Sequence, residues 1–347
     1  MDRLAAATDK KTYAGLQVGR GLAAVLVLLH HASLGSDFFY GGKAFYGFFE
    51  FGYIGVDFFF VLSGFVIYSA HCNDQSSFNA ALIFCKKRII RVYPPFIVIS
   101  VSLLLIYNLY PSLSNGNREV SFTSSLFLLP DYPSRPALSV SWTLMHEMLF
   151  YTAFLLYFFS KKFFYVFFCA WILLILFMLG GSENTTIGFL LNVHNLQFFL
   201  GMLAAIAVKK EKEKYFYNFI GLLIVFTSLI LKKELHASYM EDLHILLNGI
   251  GFMCLTIGLC STKNRVAYPR ILMFFGSASY SIYLIHDPGI SILNRISRKI
   301  FTYGINLHPN YYFTAIALSS LLLGILYYLI LEKPVTSFLK KKYLKYS

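Results

Sequence analysis

The chain has 347 residues, of which 57% are apolar, 18% aromatic and 14% charged, whereas a soluble globular chain runs near 45–50% apolar and about 25% charged. A mean hydropathy of +0.61 excludes an ordinary cytosolic enzyme, a disordered chain and a small disulfide scaffold. Five cysteines, Cys72, Cys85, Cys169, Cys254 and Cys260, make no CxxC pair and no ligand spacing, so neither a disulfide framework nor a metal site is expected. The net charge of +13 raises nucleic-acid binding as a reading, which the location of the charge decides.

Ten apolar blocks follow one another: 15–34, 52–70, 95–110, 142–159, 163–179, 187–208, 215–231, 243–260, 272–293 and 312–331. Each is near the ~20 residues that span a hydrocarbon core. Backbone in lipid must satisfy its own hydrogen bonds, and no alternating ~10-residue segments of a β-barrel occur. The expectation is therefore an all-α polytopic membrane protein, a single domain over 1–347 built as one bundle of about ten transmembrane helices. The first block carries Arg20 and lacks a small-residue cleavage site, so it reads as a span rather than a signal peptide.

Loop lysines and arginines set orientation. With the amino terminus inside, the cytoplasmic segments collect Arg3, Lys10 and Lys11, the run Lys86 to Arg91, Lys161 and Lys162, the run Lys209 to Lys214, Lys263 with Arg265 and Arg270, and the basic tail after Glu332. Only Lys43, Arg118, Arg135, Lys232, Lys233, Arg295, Arg298 and Lys299 fall outside. Both termini are thus expected in the cytoplasm of a cytoplasmic (inner) membrane, multi-pass. The asymmetry accounts for the net charge without a nucleic-acid partner. The longest loop, 111–141, is outside and rich in Ser, Pro and Asn.

Ionisable groups inside spans are costly and mark functional sites by default. In the first span Arg20 and His31 are eleven residues apart, which brings them within about 20° of one face at ~100° per residue and about 16 Å apart along the axis. His30 points about 80° away from Arg20 on the same count. Taken singly, Arg20 reads as a snorkelling anchor and His31 as a core imidazole; the shared face argues for more. The fourth span runs inward from Ser141-Trp142-Thr143 to His146-Glu147 and Phe150-Tyr151, so Glu147 sits at a depth similar to His31. The ninth runs outward through Ser279-Tyr280 to His286. Span two carries Asp57 and Ser63-Gly64; that last pair reads as a close helix-packing spot, and nothing in the sequence places a base beside Ser63. At the cytoplasmic edge the run from Lys86 to Pro95 ends in a paired proline that is expected to start span three. Its Arg88 and Arg91 share a face suited to phosphate.

Taken together these segments resemble the acyltransferase-3 family of membrane O-acyltransferases, over nearly the whole chain and in order. The residues that carry the resemblance are Arg20-Gly21-Leu22-Ala23-Ala24 through His31, Gly55 through Phe65, Arg88-Ile89-Ile90-Arg91-Val92-Tyr93-Pro94, Ser141-Trp142 to Glu147 with Phe150-Tyr151, Gly276 through His286, and Glu332-Lys333-Pro334. Gln17 stands where the family often has an acidic residue and Thr143 where serine is common. The register selects His31 over His30. The resemblance implies a stand-alone enzyme that moves an acyl group, most often acetyl, from acyl-coenzyme A as cosubstrate to a hydroxyl of a carbohydrate or lipid-linked glycan such as O-antigen or exopolysaccharide. Small molecules are acceptors in some members.

On that reading His31 is the catalytic base and Glu147 orients its ring or stabilises the imidazolium. Ser279 or Tyr280 offers a hydrogen bond to the developing oxyanion, with Trp142 in support. Arg88, Arg91, Tyr93 and Arg20 hold the donor's phosphates near the inner face. The lipid bilayer, acyl-CoA and the glycan are the implied partners, with no metal. A rival reading is a transporter lined by the same buried Arg, His and Glu; it predicts solute movement instead of an acylated product.

Overall fold

A computed structural model of the chain describes residues 14–114, 119–181, 185–210, 215–234, 238–260, 267–301 and 308–344. Of the basic residues used for orientation, Arg3, Lys10, Lys11, Arg118, Lys212, Lys214, Lys263, Arg265 and Lys345 lie outside the described residues. The helices in chain order are α1 (Ala14–Tyr40), α2 (Gly55–His71), α3 (Phe78–Leu109), α4 (Phe122–Phe127), α5 (Trp142–Phe154), α6 (Leu156–Phe159) and α7 (Lys161–Phe177). They continue with α8 (Thr186–Leu190), α9 (His194–Lys210), α10 (Tyr215–Glu234), α11 (Ser238–Leu259), α12 (Arg270–Phe301), α13 (Pro309–Tyr327) and α14 (Lys333–Tyr343).

The protein is an all-α, multi-pass membrane protein. Seven described helical stretches are long and apolar enough to cross a bilayer: Ala14–Phe39, Ala44–His71, Phe78–Leu109, Thr186–Lys209, Phe216–Lys233, Met240–Leu259 and Pro309–Tyr343. The other three expected segments are helical as well. The fourth is interrupted between α5 and α6, α7 has 17 residues, and α12 is long but carries a polar face. Outward faces are apolar, as lipid requires: Phe216, Phe219, Leu222, Leu223 and Phe226 of α10 are all exposed.

Two segments differ from the sequence expectation. Pro94 and Pro95 lie inside α3, which begins at Phe78. A proline removes the donor to the carbonyl four residues back and normally breaks a helix; in membranes neighbouring groups can make good the loss. The carbonyls that lose their donor four residues on are those of Ile90 and Arg91; next to them the Tyr280 hydroxyl donates to the Val92 carbonyl at 2.8 Å and the Tyr327 hydroxyl to the Pro95 carbonyl at 2.6 Å, which ties two other helices to this stretch of α3. The long loop is also structured. It contains α4 and a two-stranded parallel pair, β1 (Val120–Ser121) with β2 (Arg135–Pro136). The Ser125 hydroxyl accepts from the Ala137 amide, and the Ser100 hydroxyl donates to the Ser125 carbonyl.

The chain divides into two compact units. The first comprises Met1–Ala23, Ile54–Ala80 and His146–Ser277, the second Ala24–Tyr53, Ala81–Met145 and Ala278–Ser347. In the first, α2 packs on α9 and α11, and α10 on α11. The α2–α9 contact runs through two glycines. A Cβ at Gly64 would stand 2.0 Å from the Phe198 carbonyl oxygen, and one at Gly201 would stand 2.0 Å from that of Val61. Small residues let helices approach where burial of apolar surface supplies no driving force. In the second unit Tyr280 ties α12 to α3 and Tyr327 ties α13 to α3, while the Ser281 hydroxyl of α12 donates to the buried Glu332 carboxylate just after α13. The helix from Tyr328 to Glu332 widens to a π turn there.

Candidate active site

In the second unit His31 and His286 meet. Their ring centroids are 4.8 Å apart, with planes at 66°, and His286 Nε2 lies 3.3 Å from His31 Nδ1. The hydrogen-bond pattern assigns the protons. His286 Nδ1 lies 2.6 Å from the Tyr283 carbonyl oxygen. A carbonyl only accepts, so that nitrogen carries the proton and in the neutral ring Nε2 is the acceptor. His31 Nδ1 in turn faces two acceptors, the Val27 carbonyl at 3.0 Å and His286 Nε2, so it carries the proton. The neutral His31 is left with a bare Nε2, the form a general base needs.

His286 is wholly buried and is held on several sides. Its carbonyl accepts from the Ser320 hydroxyl at 3.3 Å. Tyr283, whose carbonyl it binds, pairs through its hydroxyl with Thr143 at 2.9 Å and with the Val140 carbonyl at 3.2 Å. Thr143 thus keeps a hydroxyl where the family often has serine. The ring of His30 is turned elsewhere: its Nδ1 donates to the Glu50 carbonyl at 2.7 Å, and it packs edge-on against Tyr53.

His31 lines a cavity of about 890 Å³, toward the upper end of the usual ~300–1,000 Å³ for ligand clefts. One wall is α1 at Leu34, Gly35 and Phe38; the other is α12 at Asp287, Ser291 and Asn294. The α-helical period puts each set on one face.

Glu147 lies in the first unit. Its Oε1 accepts from the Ser63 hydroxyl at 3.1 Å and from the Tyr151 hydroxyl. A carboxylate therefore does stand beside Ser63; the separation of 84 residues hid it from sequence reasoning. Deeper in this unit a second polar set surrounds Asp57, which is buried. Gln197 Nε2 and Asn248 Nδ2 donate to its two oxygens at 2.8 and 2.9 Å. Asn248 Nδ2 also faces His244 Nε2 at 3.1 Å, and His194 Nε2 is 3.9 Å from Asp57.

Arg20 is also in the first unit. Its Nε donates to the Gly276 carbonyl at 2.9 Å, and its Nη2 shares that oxygen. Gln17 Nε2 donates to the Ser277 hydroxyl at 3.0 Å. A Cβ on Gly21 would lie 2.7 Å from the Gly276 amide nitrogen, which explains why arginine-glycine is opposed by glycine here.

The remaining candidates lie in the second unit. Arg88 and Arg91, both half-buried, are one turn apart on α3, and Arg88 lies over the Phe84 ring at 5.4 Å. The Tyr93 hydroxyl donates to the Phe127 carbonyl. Lys340 of α14 is in electrostatic range of Arg91 and of Glu332. Ser279 is buried, and the Tyr280 hydroxyl is engaged by Val92. Trp142, 38% exposed, opens α5. His286 is the functional candidate that sequence reasoning left out of the site. Its signal was its outer-half depth, shared with His31.

The sequence model of the acyltransferase-3 family, described as an acyltransferase domain, matches residues 13–329. The chain belongs to that family. It is a membrane-embedded acyltransferase, and its chemistry needs an acyl donor, an acceptor and a group to manage the proton between them. No curated protein and no solved structure matches the chain.

Proposed function

We propose that this acyltransferase moves an acetyl group from acetyl-coenzyme A to a hydroxyl of a cell-surface carbohydrate, such as O-antigen or exopolysaccharide, in the cytoplasmic membrane. The observation that supports it most is the bare Nε2 of His31 on the wall of a cavity, with the opposite nitrogen tied to His286 and Val27. His31 Nε2 takes the acceptor's hydroxyl proton while that oxygen attacks the thioester carbonyl. The C–O bond forms, the C–S bond breaks, and the leaving thiolate takes the proton back from the imidazolium. His286 acts as a positioning residue: its Nε2 accepts a hydrogen bond from His31 Nδ1–H, which fixes the tautomer of the neutral ring and steadies the charged one. Glu147 is proposed as the second catalytic group, and Ser279 or Tyr280 as a hydrogen-bond donor to the developing oxyanion, with Trp142 in support. The donor's phosphates fall to Arg88 and Arg91, with Tyr93 and Lys340 in the same unit; Arg20, in the first unit, is a further candidate. Bidentate arginines suit phosphate oxygens.

The test uses full-length protein in lipid nanodiscs with labelled acetyl-coenzyme A and a surface glycan. His31→Ala lowers turnover by ~10²–10⁴-fold, the usual share of a general base. Arg88→Ala with Arg91→Ala raises the donor KM and spares kcat. His286→Leu lowers kcat about 100-fold without moving the donor KM, and His286→Gln, which keeps an acceptor for the His31 proton, restores part of it. Normal turnover in His31→Ala contradicts the assignment.

A further inference from the structure

The wall of the His31 cavity changes character along α12. Beyond Ser291 and Asn294 it is completed by Arg295, Arg298 and Lys299, with Asp287 the only acidic residue lining it among the described residues. From His286 to Arg298 the helix advances about 18 Å at 1.5 Å per residue. The stripe 287, 290–291, 294–295, 298–299 recurs each turn, so one face of α12 carries the basic group along the cavity that His31 lines. Arg295 Nη2 donates to the Leu113 carbonyl at 3.0 Å, which fixes the loop whose Ser112 also lines the cavity. Arg298 is exposed and makes neither a hydrogen bond nor an ion pair among the described residues. Facing this group on α1 are the rings of Phe38 and Phe39.

Basic residues are disfavoured on the non-cytoplasmic side of a membrane protein. On the orientation argued above, three of the few that occur there sit within five residues at one cavity mouth. Membrane insertion does not call for them there; an anionic ligand does. Resting on the acyltransferase reading, we infer that this cavity is the acceptor subsite and that it selects an anionic glycan. Arg298, Lys299 and Arg295 bind a sugar carboxylate or phosphate at the mouth while a neighbouring hydroxyl reaches His31. The two phenylalanines lie against the apolar sugar faces, and Ser291 and Asn294 supply hydrogen bonds between them.

The probes are a trigalacturonate and the neutral trigalactoside of the same linkage. Each is titrated by calorimetry against full-length protein in phosphatidylcholine nanodiscs, with no donor present. The trigalacturonate binds at least tenfold more tightly than the neutral sugar, and its affinity falls as salt rises. Arg298→Gln with Lys299→Gln, both at exposed positions, abolishes the preference and leaves the melting temperature unchanged. Equal binding of the two sugars, or an unchanged preference in the double variant, overturns the inference. So does loss of trigalacturonate binding in phosphatidylglycerol nanodiscs, because the basic group is then a lipid-headgroup site. Binding is read without chemistry, and His31→Ala retains the preference. If the preference holds while no acceptor is ever acetylated, the acyl-transfer reading falls and the anionic subsite stands.

Discussion

At the scale of single residues, the imidazole pair shows how main-chain carbonyls and a second ring specify a tautomer. A main-chain carbonyl fixes the His286 proton, and that ring fixes the proton of His31. None of this is visible from the 255 residues that separate them. The period of the first span does show which of His30 and His31 shares a face with Arg20, but the partner of a side chain is a tertiary fact. The same holds for Glu147, whose hydroxyl donors are Ser63 and Tyr151. Glu147→Gln keeps the shape and one acceptor oxygen, so the protein folds with an unchanged melting temperature. If the carboxylate takes part in transfer, kcat falls about 100-fold or more. A residual activity within a few-fold of wild type makes Glu147 a structural acceptor only. Ser63→Ala separates a direct transfer from an acyl-enzyme: it costs ~1 kcal/mol of stability for the lost hydrogen bond and leaves turnover within a few-fold, whereas a nucleophilic Ser63 loses all of it.

At the scale of elements, the apolar blocks were legible because a bilayer demands helices of a given length. What sequence reasoning misplaced was the start of α3, since Pro94-Pro95 is a strong start signal in water. In the structure the helix runs through the pair, from Phe78 to Leu109, as membrane helices tolerate. The glycine motif in α2 was legible as a packing spot, and Gly64 against the Phe198 carbonyl supplies the reason. Main chain cannot retreat as a flexible side chain can. Gly64→Ala therefore destabilises by ~1–3 kcal/mol, the usual cost of overpacking, measured as a lower melting temperature and a lower yield of folded protein in detergent. An unchanged melting temperature shows that α2 and α9 can separate at no cost. The buried Asp57 set joins α2, α9 and α11 by polar contacts beside apolar ones such as Phe58–Phe252 and Phe60–Phe198. Here a single aspartate in a span was legible as unusual, but not which amides it serves.

At the scale of the whole molecule, the chain is a membrane-embedded acyltransferase, and the proposal gives it an anionic donor and a basic acceptor cavity. In that proposal the donor end belongs to Arg88 and Arg91, on the side the positive-inside rule assigns to the cytoplasm. The acceptor end belongs to the mouth lined by Arg298. Such an enzyme transfers an acyl group across the bilayer without moving either substrate through it. The most direct measurement uses proteoliposomes of known protein orientation. Labelled acetyl-coenzyme A is supplied to the face that bears Arg88 and Arg91, and an anionic glycan to the opposite face. The account predicts acetylated glycan in this arrangement, none when the two substrates are exchanged, and none with His31→Ala. Product that forms only when both substrates share one face contradicts it.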